Sequence, residues 1–152
     1  MPLSTEIRLA SQHDRPAVEN LVDAAYSHYV PRIGQKPGPM LDDYAALIRE
    51  GVVHVAESDG VIRGLVVLVP EPDVMLLDNI AVDPAFRGTG LGRRLMVFAE
   101  EAARSAGYRS IRLYTHELMS ENIALYGRVG YRETHRGEDE GLRRVFMVKT
   151  LA

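Results

Sequence analysis

The chain has 152 residues, 46% hydrophobic and 26% charged, with 18 basic against 21 acidic side chains for a net charge of −3, and no cysteine. That length suits one domain, spanning residues 1–152, and the composition excludes intrinsic disorder. The charge balance offers no basic field to gather nucleic acid or anionic lipid, and the missing thiols exclude disulfides, thiolate metal sites and cysteine nucleophiles. Met1 to Glu6 carry no basic segment followed by an apolar one, and no run reaches the roughly 18 apolar residues of a membrane span, so a cytoplasmic chain is expected.

Ile7 and Leu9 alternate with Glu6 and Arg8 as a short first strand. Asp14 precedes a helix with Val18, Leu21, Val22 and Ala25 at i, i+3, i+4 and i+7. Residues 30 to 39, with three prolines and two glycines, are predicted to be an irregular loop. Tyr44, Leu47 and Ile48 mark a second helix. Val52 to Glu57 and Val61 to Val69 then read as strands joined in a hairpin at Ser58-Asp59-Gly60.

Val74 to Val82 is a fourth strand, stopped by Asp83-Pro84. A glycine-rich turn opens a helix of about four turns that ends at Gly107, with Leu91, Leu95, Phe98, Ala99, Ala102 and Ala106 as its apolar face. Ile111, Leu113 and Thr115 begin a fifth strand, and Ser120 is placed as the cap of a short helix stopping at Gly130. Tyr131 to His135 and Arg143 to Thr150 close the chain as strands, with Glu138-Asp139-Glu140 at their hairpin tip. Asp42-Asp43 and Glu100-Glu101 are expected on solvated helix faces, and Met40, Met96 and Met119 in packing roles. Strands that meander before the long helix point to an α+β fold.

Arg87-Gly88-Thr89-Gly90-Leu91-Gly92 lies between strand and helix, where backbone N–H groups and the helix dipole favour a phosphate. Arg93 and Arg94 follow in the first turn, where cations oppose the dipole unless an anion sits there. A Walker loop would end in Lys-Ser or Lys-Thr, and a dinucleotide fold would place its turn after the first strand. ATP and NAD are both disfavoured. No histidine pair has metal-ligand spacing and no Gly-x-Ser-x-Gly elbow is present, so neither a metal site nor a serine hydrolase is expected.

Asp78-Asn79-Ile80-Ala81-Val82-Asp83-Pro84, the turn Arg87 to Gly92, and Glu121-Asn122-Ile123-Ala124-Leu125-Tyr126-Gly127-Arg128-Val129-Gly130-Tyr131 together resemble the GNAT superfamily of N-acetyltransferases. The resemblance implies a mixed, mostly antiparallel sheet of about six to seven strands flanked by about four helices. It implies acetyl-CoA as cosubstrate, with the backbone N–H groups of Gly88, Thr89, Gly90, Leu91, Gly92 and Arg93, beside Arg87, holding its pyrophosphate. The strand at 78 to 82 would splay from that at 111 to 115. Ile80, Ala81 and Val82 would then offer unpaired edges to the pantetheine arm, with the Ile80 N–H as oxyanion donor. Asn122 would bond that arm, and Tyr126 would protonate the departing thiolate.

An amine like that of lysine is neutral only roughly 0.04% of the time at pH 7, so the site needs a base or a water path. Asp78 is the first candidate, with Glu117 and His116 in reserve. The acceptor, a small-molecule or peptide amine, is expected against residues 28 to 42, where Tyr29, Arg32, Lys36 and Met40 stand. The two cations there suit an acceptor that also carries a carboxylate. Members of the family that dimerise leave a homodimer open. The alternative from another class is a non-catalytic acyl-CoA sensor with the same fold.

Overall fold

The computed structural model describes residues 5–139 and 141–151. Its strands are β1 Thr5–Leu9, β2 Val53–Ser58, β3 Val61–Pro70, β4 Met75–Val82, β5 Ser110–His116, β6 Arg132–Asp139 and β7 Leu142–Thr150. They form one sheet in the order β1-β2-β3-β4-β5-β7-β6, antiparallel throughout except for the parallel pair β4 and β5. The helices are α1 Arg15–Tyr26, the single turn α2 Val30–Ile33, α3 Tyr44–Arg49, α4 Leu91–Ser105 and α5 Ser120–Arg128. The fold is therefore α+β, with the mostly antiparallel sheet that the sequence led us to expect.

Strand periodicity sends alternate side chains to opposite faces, and both faces are covered. On one, Val53, Val55, Leu65 and Val67 meet Val18, Leu21 and Val22 of α1 and Tyr44 and Ile48 of α3. On the other, Val66, Leu68, Leu77, Ile111 and Leu113 meet Leu91, Leu95, Met96, Ala99 and Ala103 of α4. A strand covered on both sides has no polar face, which explains the unbroken run Leu65-Val66-Val67-Leu68. Gly64 lets α4 approach: a Cβ there would stand 2.9 Å from Leu95 Cδ1 and 3.3 Å from the Ala81 carbonyl oxygen.

Two irregularities in β4 prepare the site. Val67 pairs with Asn79 and Leu68 with Leu77, so Asp78 is a bulge residue with no partner opposite. The extra residue shifts the alternation, sending Leu77 and Ile80 toward α4 and Ala81 toward α1. β4 and β5 also pair only at Met75↔Ile111 and Leu76↔Arg112, and then part. The Asp83 N–H donates to the Arg63 carbonyl at 2.7 Å, where Gly64 faces Val82. Because bonded and non-bonded pairs alternate in an antiparallel ladder, the N–H and C=O groups of Ile80 and Val82 point away from β3, into the wedge beside β5.

Several local expectations need correction. Residues 30 to 39 are not wholly irregular, since α2 forms with a proline in its first turn and Gly34 at φ +86° as its stop. Proline is tolerated there because that N–H has no helical partner anyway. A 3-10 turn follows at Gly38–Leu41. Ser120 is the first residue of α5 rather than its cap, and its hydroxyl donates to Glu121 Oε1 at 3.0 Å. The apolar face of α4 is rotated: Met96 and Ala103 are buried while Ala106 is exposed. Glu100 is buried as well, because Lys149 of β7 reaches it at 2.9 Å. Asp43 lies before α3 and caps it, accepting from the Ala46 N–H. Glu138 and Asp139 continue β6, and Glu140 lies outside the described residues.

Candidate active site

The wedge opens into a cavity of about 380 Å³ bounded by Ile80, Ala81 and Val82, by the turn at Arg87, Gly88, Gly90, Leu91 and Gly92, and by Asn122 and Tyr126 of α5. The turn bends because Gly88 and Gly90 adopt φ +79° and +89°, which side chains with a Cβ rarely take. Thr89 holds it, its hydroxyl donating to the Phe86 carbonyl at 2.6 Å and accepting from the Leu91 N–H at 3.4 Å. No acidic residue stands in the first turn of α4, so the positive helix end and its arginines are uncompensated locally. His28, on the opposite wall, has its pKa lowered by burial and by Arg87 and Arg32.

A diphosphate fits this turn. A Cβ at Gly88 or Gly90 would meet nothing within 4 Å, so the backbone faces open space. Among the residues expected here, Thr89 and Arg93 do not line the cavity. Arg94 instead donates to the Thr5 carbonyl at 3.2 Å.

A second cavity, of about 50 Å³, lies on the other side of Ile80, between Pro37-Gly38-Pro39, Asp78, the end of β5, and Leu142 and Arg144 of β7. Tyr26, Ile80, Asn122 and Tyr126 line both cavities, which meet at these residues. The Tyr114 hydroxyl donates to Asp78 Oδ1 at 2.7 Å. Burial and the Asp78 charge push the Tyr114 pKa up, so it remains a donor. The Arg144 guanidinium carbon sits 4.3 Å from the centre of the Tyr114 ring.

Tyr126 is buried against Tyr131, with ring centres 6.0 Å apart. Burial, with Tyr29 adding, raises its phenol pKa further, so it carries its proton at neutral pH. Asn122 Nδ2 lies 3.7 Å from Met119 Sδ. A buried chain of bonds steadies β4. The Tyr26 hydroxyl lies 2.6 Å from Asn79 Oδ1 and 2.9 Å from the Ile80 carbonyl. Asn79 Nδ2 donates to the Tyr44 hydroxyl at 3.0 Å, which donates to the Pro39 carbonyl at 2.6 Å.

These placements separate the candidate bases. Glu117 pairs with Arg143 at 2.7 Å and does not line the smaller cavity. His116 lines it, but its Nδ1 accepts the Leu118 N–H at 3.0 Å and burial lowers its pKa. Asp78 is the carboxylate in the cavity wall. The expected acceptor residues are largely elsewhere: Arg32 is bound to Glu121 at 2.6 Å, Lys36 is exposed, and Tyr29 lines the larger cavity.

The pattern of the Acetyltransferase (GNAT) family matches residues 16–131. The chain belongs to this family. An uncharacterized N-acetyltransferase of Escherichia coli (strain K12), YjgM, is 30% identical over 139 residues, covering 86% of this chain and 83% of its own. The PaiA N-acetyltransferase from Thermoplasma acidophilum, solved with coenzyme A, superposes with a TM-score of 0.76 at 19% identity, over 97% of this chain and 99% of its own. YncA of Salmonella typhimurium, solved with acetyl-CoA, gives 0.71 at 23% identity, over 97% and 94%. The present GNAT protein is an N-acetyltransferase, and so an acyltransferase.

Sequence reasoning missed Tyr26, Tyr114 and Arg144 in the walls of this GNAT site. Tyr114 had a faint signal, as the outward residue of an alternating strand. Arg144 had none, since it is thirty residues beyond Tyr114 in a strand that pairs between β5 and β6 only in the folded protein.

Proposed function

We propose that the protein, as one catalytic domain, transfers an acetyl group from acetyl-CoA to a small primary amine by direct attack in a ternary complex. The observation that carries this is the wedge: backbone at Ile80 and Val82 that neither β3 nor β5 pairs lies between a glycine-rich helix start and the half-buried carboxylate of Asp78. Bound there, acetyl-CoA supplies the thioester that the amine attacks. The backbone N–H groups of Gly88, Gly90 and Gly92, with Arg87, hold the diphosphate, while Thr89 keeps the turn in shape. Ile80, Ala81, Val82 and Asn122 orient the pantetheine arm, and the Ile80 N–H stands ready as donor to the thioester oxygen. Asp78, fixed by Tyr114, accepts the ammonium proton directly or through water, and Tyr126 gives its proton to the departing sulfur. No described helix is long and apolar enough to cross a membrane. We place the cysteine-free chain in the cytoplasm.

The test follows thiol release from acetyl-CoA over a panel of amines, then the pH dependence of kcat/KM for wild type and Asp78→Asn. The substitution should lower kcat/KM near pH 7 by roughly ten- to a hundredfold, with much of it recovered as rising pH deprotonates the amine in solution. Parallel pH profiles would move the proton to water. Coenzyme binding without thiol release from any amine would leave a sensor.

A further inference from the structure

The smaller cavity is apolar over most of its wall: Pro37 and Pro39 in the roof, Leu77 of β4, Leu113 of β5, Met119 before α5 and Leu142 of β7. Most of its polar side chains are turned to one another. The Tyr26 hydroxyl is held between Asn79 and the Ile80 carbonyl, the Asn79 amide by Tyr44, and the Thr115 hydroxyl reaches Met119 Sδ at 3.4 Å. His116 takes the Leu118 N–H on one ring nitrogen, and its lowered pKa leaves the ring uncharged at neutral pH. Arg144 is engaged within the protein, by the Tyr114 ring among other partners. Asp78 differs. Tyr114 bonds its Oδ1, and among the described residues its Oδ2 has no hydrogen-bond partner. One end of the cavity therefore accepts a hydrogen bond from an amine, while the rest offers apolar contact and no spare ionic partner. The volume is about 50 Å³, against the roughly 150 Å³ that holds a benzene ring.

We propose, resting on the acetyl-transfer reading above, that the acceptor is a small monoamine: a primary amine at Asp78 on a short apolar skeleton of about two or three carbons, with no second ionic group. A carboxylate on the acceptor would shed water without gaining a free cation, and a second ammonium would shed it without gaining an anion. A lysine side chain in a protein has a four-carbon stem, longer than the cavity, and it brings its backbone against the proline roof. The carboxylate that Arg32 and Lys36 suggested finds neither cation here, since Arg32 holds Glu121 and Lys36 is exposed.

The experiment measures thiol release from acetyl-CoA with methylamine, ethylamine, n-propylamine and n-hexylamine, whose amines are nearly equal in basicity. It then sets n-propylamine against 1,2-diaminoethane and isobutylamine against glycine, pairs close in shape, with kcat/KM referred to the neutral amine. Lysine blocked at its α-amine and its carboxyl stands in for a protein lysine. In wild type, kcat/KM should rise about fourfold per methylene up to n-propylamine and fall roughly tenfold by n-hexylamine, which overfills the space. The charged compounds should lie roughly tenfold or more below their apolar counterparts, and the blocked lysine equally far below n-propylamine. Leu142→Ala, checked for folding by circular dichroism, enlarges the cavity and should raise n-hexylamine roughly fivefold relative to n-propylamine. A flat length profile, a charged compound equal to its counterpart, or a blocked lysine equal to n-propylamine would overturn the proposal and leave acetyl transfer standing. An unchanged ratio in folded Leu142→Ala would also overturn it, by removing this cavity from the acceptor; if that variant does not fold, the wild-type profiles decide alone. Thiol release with other amines and none of these would have the same meaning. Release with no amine at all would fail the transfer reading itself, and the proposal with it.

Discussion

The larger cavity has backbone in one part of its wall, the glycines of the turn at Gly88, Gly90 and Gly92 and the peptide edges of Ile80 and Val82. The smaller cavity is walled by side chains, brought by β4, β5 and β7 beneath a roof of Pro37 to Pro39. A backbone site comes from one short stretch of chain and tolerates many side chains, so long as the turn keeps its shape. A side-chain site needs several distant segments in register, and it can change selectivity through one residue. The two walls meet at Tyr126, Asn122, Ile80 and Tyr26, and the proposed transfer takes place at that seam.

The largest effect should come from Gly90→Val. A β-branched residue at φ +89° is strained even though the Cβ itself meets nothing. Relieving that strain moves the N–H groups off the diphosphate. Coenzyme A affinity should fall at least a hundredfold in a domain that stays folded, as read by calorimetric titration and circular dichroism. Unchanged affinity would remove the turn from the donor site, and with it one half of the contrast.

Tyr126→Phe probes the seam. The ring still packs against Tyr131, so stability and acetyl-CoA affinity should hold while the chemical step slows by roughly ten- to a thousandfold. Single-turnover thiol release measures this. A wild-type rate with chemistry limiting would leave Tyr126 a packing residue.

Tyr44→Phe sharpens the contrast with a smaller change. Its hydroxyl ties the roof at Pro39 to Asn79 of β4, and removing it strands a buried amide donor and a carbonyl. A loss of about 1–3 kcal/mol in urea unfolding is expected. The acceptor KM should rise several-fold while the KM for acetyl-CoA stays put, because the roof covers only the smaller cavity. Equal movement of both would show that the two walls are mechanically one.

Much of this was legible before folding because it is local. The glycines of the turn, the helix that follows, and the face Val18, Leu21, Val22 and Ala25 are written within a few residues each, and steric preference and periodicity decide them. The resemblance carried Tyr126 and Asn122 to the seam by the same kind of short motif. Asp78 was nameable as a carboxylate interrupting an apolar run, but its role as a bulge residue was not. Whether β4 carries an extra residue depends on pairing with β3, and alternation within β4 alone does not show it. The helical turn at Val30–Ile33 was likewise hidden, because its prolines and glycines suit both loops and helix ends.

What the sequence by itself determined is the turn beside the larger cavity and its frame: φ angles that favour glycine, a helix whose dipole favours an anion, and the strand and helix order of a GNAT fold. Only the tertiary structure decided the smaller cavity. It excluded Arg32, Lys36 and Glu117 from the smaller cavity, and it set Arg144 over Tyr114 beside Asp78. The physical reason is distance along the chain. A backbone turn stores its geometry in adjacent residues, whereas a cluster of side chains across three strands exists only once hydrogen bonding has set their order and register.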